Sequence, residues 1–205
     1  MTIENDIKQA LIDVGVAYTV YRDSGNLSGE YLKAIPNRQV TKPFIREFFI
    51  EAQLPHDTSA GTGDVIEFDI TDERYLLMNK TPTVFENTTI RNEGVLHKCN
   101  VSGELRRPSG EVWDTQTYHK VQQWEVVDAT CYALFTEPMF GHDLETDEQL
   151  ALIGLSRHEM YVPASVGVQV LDRFEPVSGE YYRVETIKTR RFPNIDVVEL
   201  AQDTR

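Results

Sequence analysis

The chain has 205 residues, and its 33 acidic side chains outnumber 20 basic ones, which gives a formal net charge of −13. This balance argues against a broad nucleic-acid-binding surface, because contacts with a phosphate backbone require clustered Lys and Arg. The length allows one large β domain or two small ones, with a core that needs no disulfide or metal to support it.

The two cysteines, Cys99 and Cys131, lie in apolar, strand-like runs. Such positions are typical of buried free thiols, so we expect the chain to fold in a reducing cytoplasm. The first residues lack the basic and apolar regions of a signal peptide, and no apolar run reaches membrane-spanning length. We therefore expect no association with a membrane.

The first half of the chain predicts one helix followed by strands. Ile7, Leu11 and Val14 share one helical face over residues 4–14, and Gly15 ends that pattern. Residues 16–21 and 29–32 are strand-like. Residues 44–52 fit either a helix or a strand, and the β-rich context favours a strand. The polar composition of residues 54–63 predicts a long flexible loop.

The second half predicts further short strands separated by turns. Residues 105–110 have the composition of a turn, and two separate strands are expected at 119–127 and 131–135. In the acidic segment that follows, Thr146 and Gln149 form a capping-box pattern, which predicts a short helical turn. The alternation of Val166, Val168 and Val170 predicts a strand, the first of a compact C-terminal set joined by hairpins.

Several residues recur at a nearly constant interval. Three pairs share it: Asp64 and Asp172 are 108 residues apart, and Tyr75 with Tyr182 and Phe85 with Phe192 are 107 apart. A constant offset indicates a duplicated module. The alternative is that Asp, Tyr and Phe recur at turns and strands of any β-rich chain.

These patterns predict a mainly β protein with a short N-terminal helix. Its modules would be small antiparallel β-barrels or sandwiches, duplicated along the chain. We place the N-terminal module with its leading helix at residues 1–110 and the C-terminal barrel module at 111–205. One continuous domain is the alternative to this division.

No catalytic motif is present in the sequence. It has no nucleophile elbow, phosphate-cradling glycine loop, zinc-protease helix or dinucleotide fingerprint. The five histidines are scattered without metal-ligand spacing. We therefore expect no catalytic residue, no metal and no cofactor, and a protein that is not an enzyme. A hydrolase that uses Cys131 or the acidic segment is the alternative.

Aromatic and basic side chains offer two further interpretations. Trp113, Tyr118, Trp124 and Tyr132 could stack single-stranded bases, but packing in a core or interface is favoured because no Lys or Arg is interleaved with them. Five arginines are predicted to be charges at a subunit or partner interface, with ordinary solvated arginines as the alternative. They are Arg106, Arg107, Arg190, Arg191 and Arg205.

The C-terminal pattern resembles a known family. It runs from a strand into Leu171–Phe174, through Gly179–Glu185, to Val197–Leu200 and the terminal Asp203–Arg205. This order is similar to head-closure, or stopper, proteins of tailed bacteriophages, which are small β-barrels at the head–tail junction. The internal stretches 75–79, 84–87 and 95–100 also resemble structural proteins of such phages. The chain is about twice as long as a minimal stopper, which the predicted duplication would explain.

The resemblance implies a structural virion protein that is assembled in the host cytoplasm and resides in the neck of the particle. It would form a hexameric or dodecameric homo-oligomeric ring that binds the portal or adaptor protein and docks tail terminator or tail tube proteins. Double-stranded DNA would pass through the lumen without specific binding. The alternatives are a tail terminator or baseplate protein and, outside this class, an OB-like barrel that binds single-stranded nucleic acid.

Two polar loops are the predicted channel-facing segments. They run from Pro55 to Gly63 and from Pro138 to Glu148. Carboxylates repeated around a ring would repel DNA phosphates and favour smooth passage of the duplex. The residues expected to face the channel are His56, Asp57, Asp143, Glu145, Asp147 and Glu148.

Overall fold

The computed structural model describes residues 2–22, 25–36, 49–116, 118–136 and 158–204. The described residues form the helix α1 (Ile3–Val14), which confirms the predicted helix, and twelve strands. The strands are β1 (Val16–Tyr21), β2 (Leu27–Pro36), β3 (Phe49–Pro55), β4 (Val65–Phe68), β5 (Arg74–Phe85), β6 (Thr88–Lys98), β7 (Val101–Asp114), β8 (His119–Thr136), β9 (His158–Pro163), β10 (Arg173–Val177), β11 (Glu180–Phe192) and β12 (Ile195–Gln202).

The twelve strands form two closed barrels of six strands each, which confirms the mainly β fold class. Barrel 1 holds β1 to β6 and barrel 2 holds β7 to β12. The chain divides into two compact units, Met1–Cys99 with Phe192–Ile195, and Asn100–Arg191 with Asp196–Arg205. The boundary predicted after residue 110 falls inside β7.

Barrel 1 is antiparallel throughout and closes where β4 pairs with β1. Its strands alternate inward and outward side chains, as the period of two of a pleated strand requires. In β1 the inward residues Tyr18 and Val20 are fully buried, and the residues between and beside them are partly exposed. α1 packs against β1, β2, β3 and β6 and buries Leu11.

Barrel 2 closes where β10 pairs with β7. Its interior is filled by aliphatic and aromatic side chains of all six strands, so the barrel encloses a packed core. The fully buried members of this core include Leu105, Ala133, Met160, Val162, Phe174, Val184, Val198 and Leu200.

Around each barrel, neighbouring strands follow the same order: first, second, third, sixth, fifth and fourth, where the strands are numbered along the chain within that barrel. The register repeats as well. In barrel 1, Ile66 of the fourth strand lies between Val20 and Tyr75. In barrel 2, Phe174 of the fourth strand lies between Leu105 and Tyr182. The first strand of each barrel also carries an irregularity at the same place, between Tyr18 and Val20 and between Gly103 and Leu105.

The predicted repeat therefore exists in the structure, and its anchors occupy equivalent places. Tyr75 and Tyr182 pair with equivalent residues of the fourth strand. Phe85 and Phe192 each end the fifth strand, at the tip of the hairpin that leads to the sixth. The constant offset arises because the segments between these anchors have nearly the same length in the two barrels.

The third anchor belongs to an arginine–aspartate pair that recurs in each barrel, here called the clamp. In barrel 1, Arg22 Nε donates to Asp64 Oδ1 over 2.9 Å, and its Nη2 donates to the Ser59 carbonyl over 2.6 Å. In barrel 2, Arg107 Nε donates to Asp172 Oδ1 over 2.9 Å, and its Nη2 donates to the Gly167 carbonyl over 2.8 Å.

The clamp aspartate also fixes the turn before the fourth strand. Its side chain accepts a backbone N–H three residues earlier, from Gly61 in barrel 1 and from Gln169 in barrel 2, over 2.7 Å in both cases. The residue before it has a positive φ, 91° at Gly63 and 76° at Leu171. A glycine adopts this conformation at little cost, whereas Leu171 is held there against its steric preference.

Three local predictions were wrong. Residues 105–110 continue β7, and residues 119–136 form one strand rather than two. Val166 ends a short 3-10 turn, and the segment that follows it shapes the clamp instead of forming a strand. The predicted strand at 44–52 is described only from Phe49, where β3 begins, and the helical turn predicted at Thr146 lies outside the described residues.

Candidate interaction surface

Barrel 2 carries a two-stranded extension beyond its wall. β7 pairs with β10 only through Glu104–Arg106. Beyond this point, β7 pairs with β8 alone in the described structure, as far as Asp114 and His119. We call residues 107–116 and 118–126 the arm.

The arm exposes large apolar side chains, each of them about half exposed or more. They are Val112, Trp113, Tyr118, Val121 and Val126. A two-stranded hairpin is marginally stable in water, and clustered apolar exposure on it is typical of a surface that binds a partner. This makes the arm the candidate interaction surface.

The two faces of the arm differ in chemistry. Val112 lies opposite Val121 on one face, and Trp113 lies opposite Lys120 on the other. On the second face Lys120 Nζ lies 3.1 Å from a carboxylate oxygen of Glu111. One face therefore offers a small aliphatic patch, and the other offers an indole beside an ion pair.

At its base the arm is fastened to barrel 2 by a buried arginine. The Arg173 guanidinium lies 3.9 Å from the centre of the Trp124 ring and 4.7 Å from that of Tyr181. Its Nε donates to Asp203 Oδ2 over 2.9 Å. Stacking and the ion pair together hold the base of the arm in place. Trp124 is therefore a packing residue, in agreement with the prediction that the aromatic side chains pack in a core or interface.

The predicted interface arginines mostly have intramolecular partners. Arg106 lies 2.7 Å from Glu104 and 3.4 Å from Glu175, and Arg107 forms the clamp of barrel 2. Arg191 lies 3.7 Å from Glu159. Arg190 is exposed, and Arg205 lies outside the described residues. The structure thus brings Arg106 and Arg107 together at the arm base.

The first predicted channel loop is packed against its own barrel, although its composition suggested a solvated loop. Its Thr58 and Ala60 are buried. Glu30 fastens it by accepting hydrogen bonds from the Thr58 hydroxyl over 2.5 Å and from the Ser59 N–H over 3.0 Å. The polar residues that suggested a solvated loop are instead used in these internal hydrogen bonds.

Buried polar contacts reinforce this loop from the barrel side. The Tyr18 hydroxyl lies 2.5 Å from the same Glu30 carboxylate. Burial alone would raise the pKa of the Glu30 carboxyl, but the hydrogen bonds from three hydroxyls outweigh this effect, so its pKa is lowered. Glu30 is therefore ionised at neutral pH and can accept all of these bonds.

The predicted channel residues of this loop are His56 and Asp57. His56 is half-buried, and its carbonyl accepts a hydrogen bond from the Asn92 amide over 3.2 Å. Asp57 is more exposed and forms an ion pair of 2.5 Å with Lys8 of α1. The other four, Asp143, Glu145, Asp147 and Glu148, lie outside the described residues.

The described residues offer little reactive chemistry. Burial raises the pKa of the Cys99 thiol to about 12, which keeps this thiol protonated and weakly nucleophilic. Cys131 is fully buried in the core of barrel 2. Within the described ranges no group of three His, Cys, Asp or Glu side chains is placed to hold a metal ion.

No known protein family, curated protein or solved structure matches the chain. Among the described residues, none of the helical structure is long and apolar enough to span a membrane.

The sequence did not predict the arm, because the residues around Pro108 and Gly110 have the composition of a turn. The alternation of polar and apolar residues around Val112 and Val121 was the signal that could have revealed it.

Proposed function

We propose that this chain is a non-enzymatic structural subunit of a tailed-phage neck, a head-closure ring that seals the DNA channel below the portal and docks the tail. The observation that carries the proposal is the tandem repetition of one closed barrel. Such a chain supplies rigid walls and hairpin surfaces for contacts between subunits.

The construction of the barrels suits a load-bearing wall. A closed barrel leaves no free sheet edge along its wall, so the wall cannot open by losing an edge strand. In both barrels the clamp ties the turn before the fourth strand to the first strand, through Arg22 directly after β1 and Arg107 within β7. These features favour a mechanical role for the chain in which hairpins and loops make the contacts.

Charge supports the same proposal. A net charge of −13 disfavours adhesion of DNA to the subunit, since phosphates are repelled by a surface rich in carboxylates. A channel through which DNA must move without binding requires this property. An OB-like barrel that grips single-stranded nucleic acid would instead require a basic groove beside its aromatic side chains.

The test is the assembly state of the purified full-length chain, alone and with portal or adaptor rings. Native mass spectrometry and negative-stain electron microscopy are expected to show a hexameric or dodecameric ring, either free or formed on the portal. A chain that stays monomeric under both conditions would contradict the proposal.

Two further measurements separate the alternatives. Fluorescence anisotropy with a single-stranded oligonucleotide at low salt is expected to show no binding, and salt-sensitive binding would favour the OB-like barrel instead. Purified tails and DNA-filled heads provide the second comparison. A ring that binds heads supports head closure, whereas a ring that binds only tails would assign the chain to tail termination.

A further inference from the structure

We propose that the outer edge of β8 in the arm pairs antiparallel with the same edge of a second copy of this chain, about a two-fold axis at Gln122. The two arms would then form a four-stranded sheet in the order β7, β8, β8 and β7. The contact is isologous, because each copy contributes the same residues.

The two edges of the arm are not equivalent. The β7 edge contains Pro108, which has no N–H to donate, and an irregularity before Gly110, whose φ is 151°. Proline and local irregularities are the features that protect an edge strand from pairing. The β8 edge from His119 to Val126 contains neither proline nor glycine. Over this stretch β8 has no bulged residue in its pairing with β7, and the first irregularity on the β8 side comes just before Asp128.

The open part of the β8 edge also has a defined end. At Thr130 the backbone N–H donates to the side chain of Asp128 over 2.9 Å, so this group is already satisfied within the chain. Further along, β8 pairs with β9 from Leu134 to Thr136. Among the described residues, only β7 pairs with β8 between His119 and Val126, so the open stretch covers the arm and stops where the barrel begins.

The sequence of this edge is complementary to itself in one antiparallel register. A two-fold axis at Gln122 places His119 opposite Glu125 of the second copy and Lys120 opposite Trp124 of the second copy. An imidazole beside a carboxylate to which it can donate a hydrogen bond, and a cation beside an aromatic ring, are favourable cross-strand pairs. A shift by two residues would instead place Val121 opposite Glu125 and His119 opposite Val127.

The strand pairs within each arm extend this complementarity across the four-stranded sheet. Arg107 already lies opposite Glu125, and Asp114 lies opposite His119. In the two-fold register one cross-strand row would read Arg107, Glu125, then His119 and Asp114 of the second copy. Basic and acidic side chains alternate along that row, which favours a second copy of this chain over an unrelated partner.

This contact goes beyond the ring proposed above and does not depend on it. A two-fold contact joins copies in pairs, whereas a ring requires a heterologous contact through other surfaces. A dimer without rings would support the inference and count against head closure. Rings that form without arm pairing would support head closure and count against the inference.

A charge exchange between two variants tests the register. In Glu125→Lys chains the substituted lysine would face His119 of the second copy, and in His119→Glu chains two carboxylates would face each other. Each variant alone should lose at least tenfold in self-association affinity, measured by sedimentation velocity over a concentration series at low salt. Mixed together, the two variants form one His119–Glu125 pair, as in the parent, and one lysine–glutamate pair, and should associate within about threefold of the parent chain.

Glu180→Lys is the control, because it reverses the charge of an exposed side chain at the start of β11, outside the arm. It should leave self-association unchanged. If the single variants associate as the parent does, or if their mixture does not recover, the proposed register is wrong. A parent chain that stays monomeric at the highest concentration would overturn the contact altogether.

A covalent readout tests the axis directly. In the Gln122→Cys variant the two introduced thiols would meet at the two-fold axis, within the distance that a disulfide spans. Mild oxidation should convert most of this variant to a covalent dimer, while a Glu111→Cys variant should stay monomeric on a non-reducing gel. Equal cross-linking of both variants would exclude a specific contact at Gln122.

Discussion

The two barrels fill the same interior position in opposite ways. Two residues before Val20, barrel 1 places Tyr18, which is fully buried. Two residues before Leu105, barrel 2 has Gly103, and the ring of Phe174 covers it. The residue of barrel 1 in register with Phe174 is Ile66. The large side chain at this place comes from the first strand in barrel 1 and from the fourth strand in barrel 2, so a similar volume is supplied by different residues in the same register.

The barrels differ most in the hairpin that joins their first two strands. In barrel 1, β1 and β2 are separated by only five residues, 22–26, and the strands are short. In barrel 2 the equivalent strands extend to 14 and 18 residues and form the arm. The clamps and the register are shared, and the arm is not. Features common to both barrels therefore serve stability, and the arm is the part available for a specific partner.

The largest expected effect comes from adding a side chain at Gly103, beneath the Phe174 ring. Gly103→Ala would place a Cβ atom 2.5 Å from the Glu175 carbonyl oxygen and 2.8 Å from the Phe174 ring. We expect a loss of at least about 2 kcal/mol in the free energy of unfolding of barrel 2. Both tryptophans lie in this unit, so fluorescence during urea unfolding reports it selectively. The nearby exposed Ser102→Ala is the control, and equal stability of the two variants would refute the packing argument.

Removal of each clamp compares the barrels directly. The Asp172 side chain is fully buried, whereas that of Asp64 is 16% exposed. Asp172→Ala should therefore cost about 2–3 kcal/mol, and Asp64→Ala should cost less, because water can replace part of the lost bonding. Hydrogen exchange measured by mass spectrometry can assign each loss to its own barrel. A larger loss for Asp64→Ala would contradict the ranking by burial.

Acid should weaken barrel 1 through His97. Burial lowers the pKa of this imidazole from 6.5 to about 3. A protonated imidazole is then favoured in the unfolded state, so stability is fully present above pH 6.5 and falls as the pH decreases towards 3. We expect a loss of about 1 kcal/mol per pH unit within this range, and His97→Phe should flatten the slope. Urea unfolding at several pH values measures this loss of stability, and hydrogen exchange assigns the loss to barrel 1.

The smallest effect concerns Asp196 in barrel 2 and has the opposite pH dependence. Burial raises the pKa of this carboxyl. The folded state then holds its proton more tightly than the unfolded state, so stability falls as the pH rises from the unfolded pKa through the folded one. Asp196→Asn removes the charge and should stabilise barrel 2 at neutral pH by up to about 1 kcal/mol. Fluorescence-monitored unfolding checks this, and a destabilised variant would indicate that the carboxylate has a required partner.

Much of the framework could be predicted from sequence because it depends on local periodicity. The helix at the N-terminus, the β-rich class and the repeat all follow from spacing that is visible along the chain. The repeat was detectable because Asp64 and Asp172 occupy a turn whose geometry requires them in both barrels.

The arm and the packed loop could not be predicted for a different reason. Pro108 and Gly110 have the same local signature whether they end a strand or protect its edge, and only the pairing with β8 distinguishes the two cases. Thr58 and Ser59 looked like solvated loop residues because their partner, Glu30, is distant in sequence. Composition shows that these residues are polar, but it does not show where their hydrogen-bond partner lies in the fold.

The clamp also has a consequence for recognising distant kin of this chain. Its arginine and aspartate are separated by 42 residues in barrel 1 and by 65 in barrel 2, yet they make the same contacts. A fingerprint built on fixed spacing would overlook one of the two. A search for relatives should therefore pair an arginine of the first strand, or directly after it, with an aspartate before the fourth strand, across any intervening length.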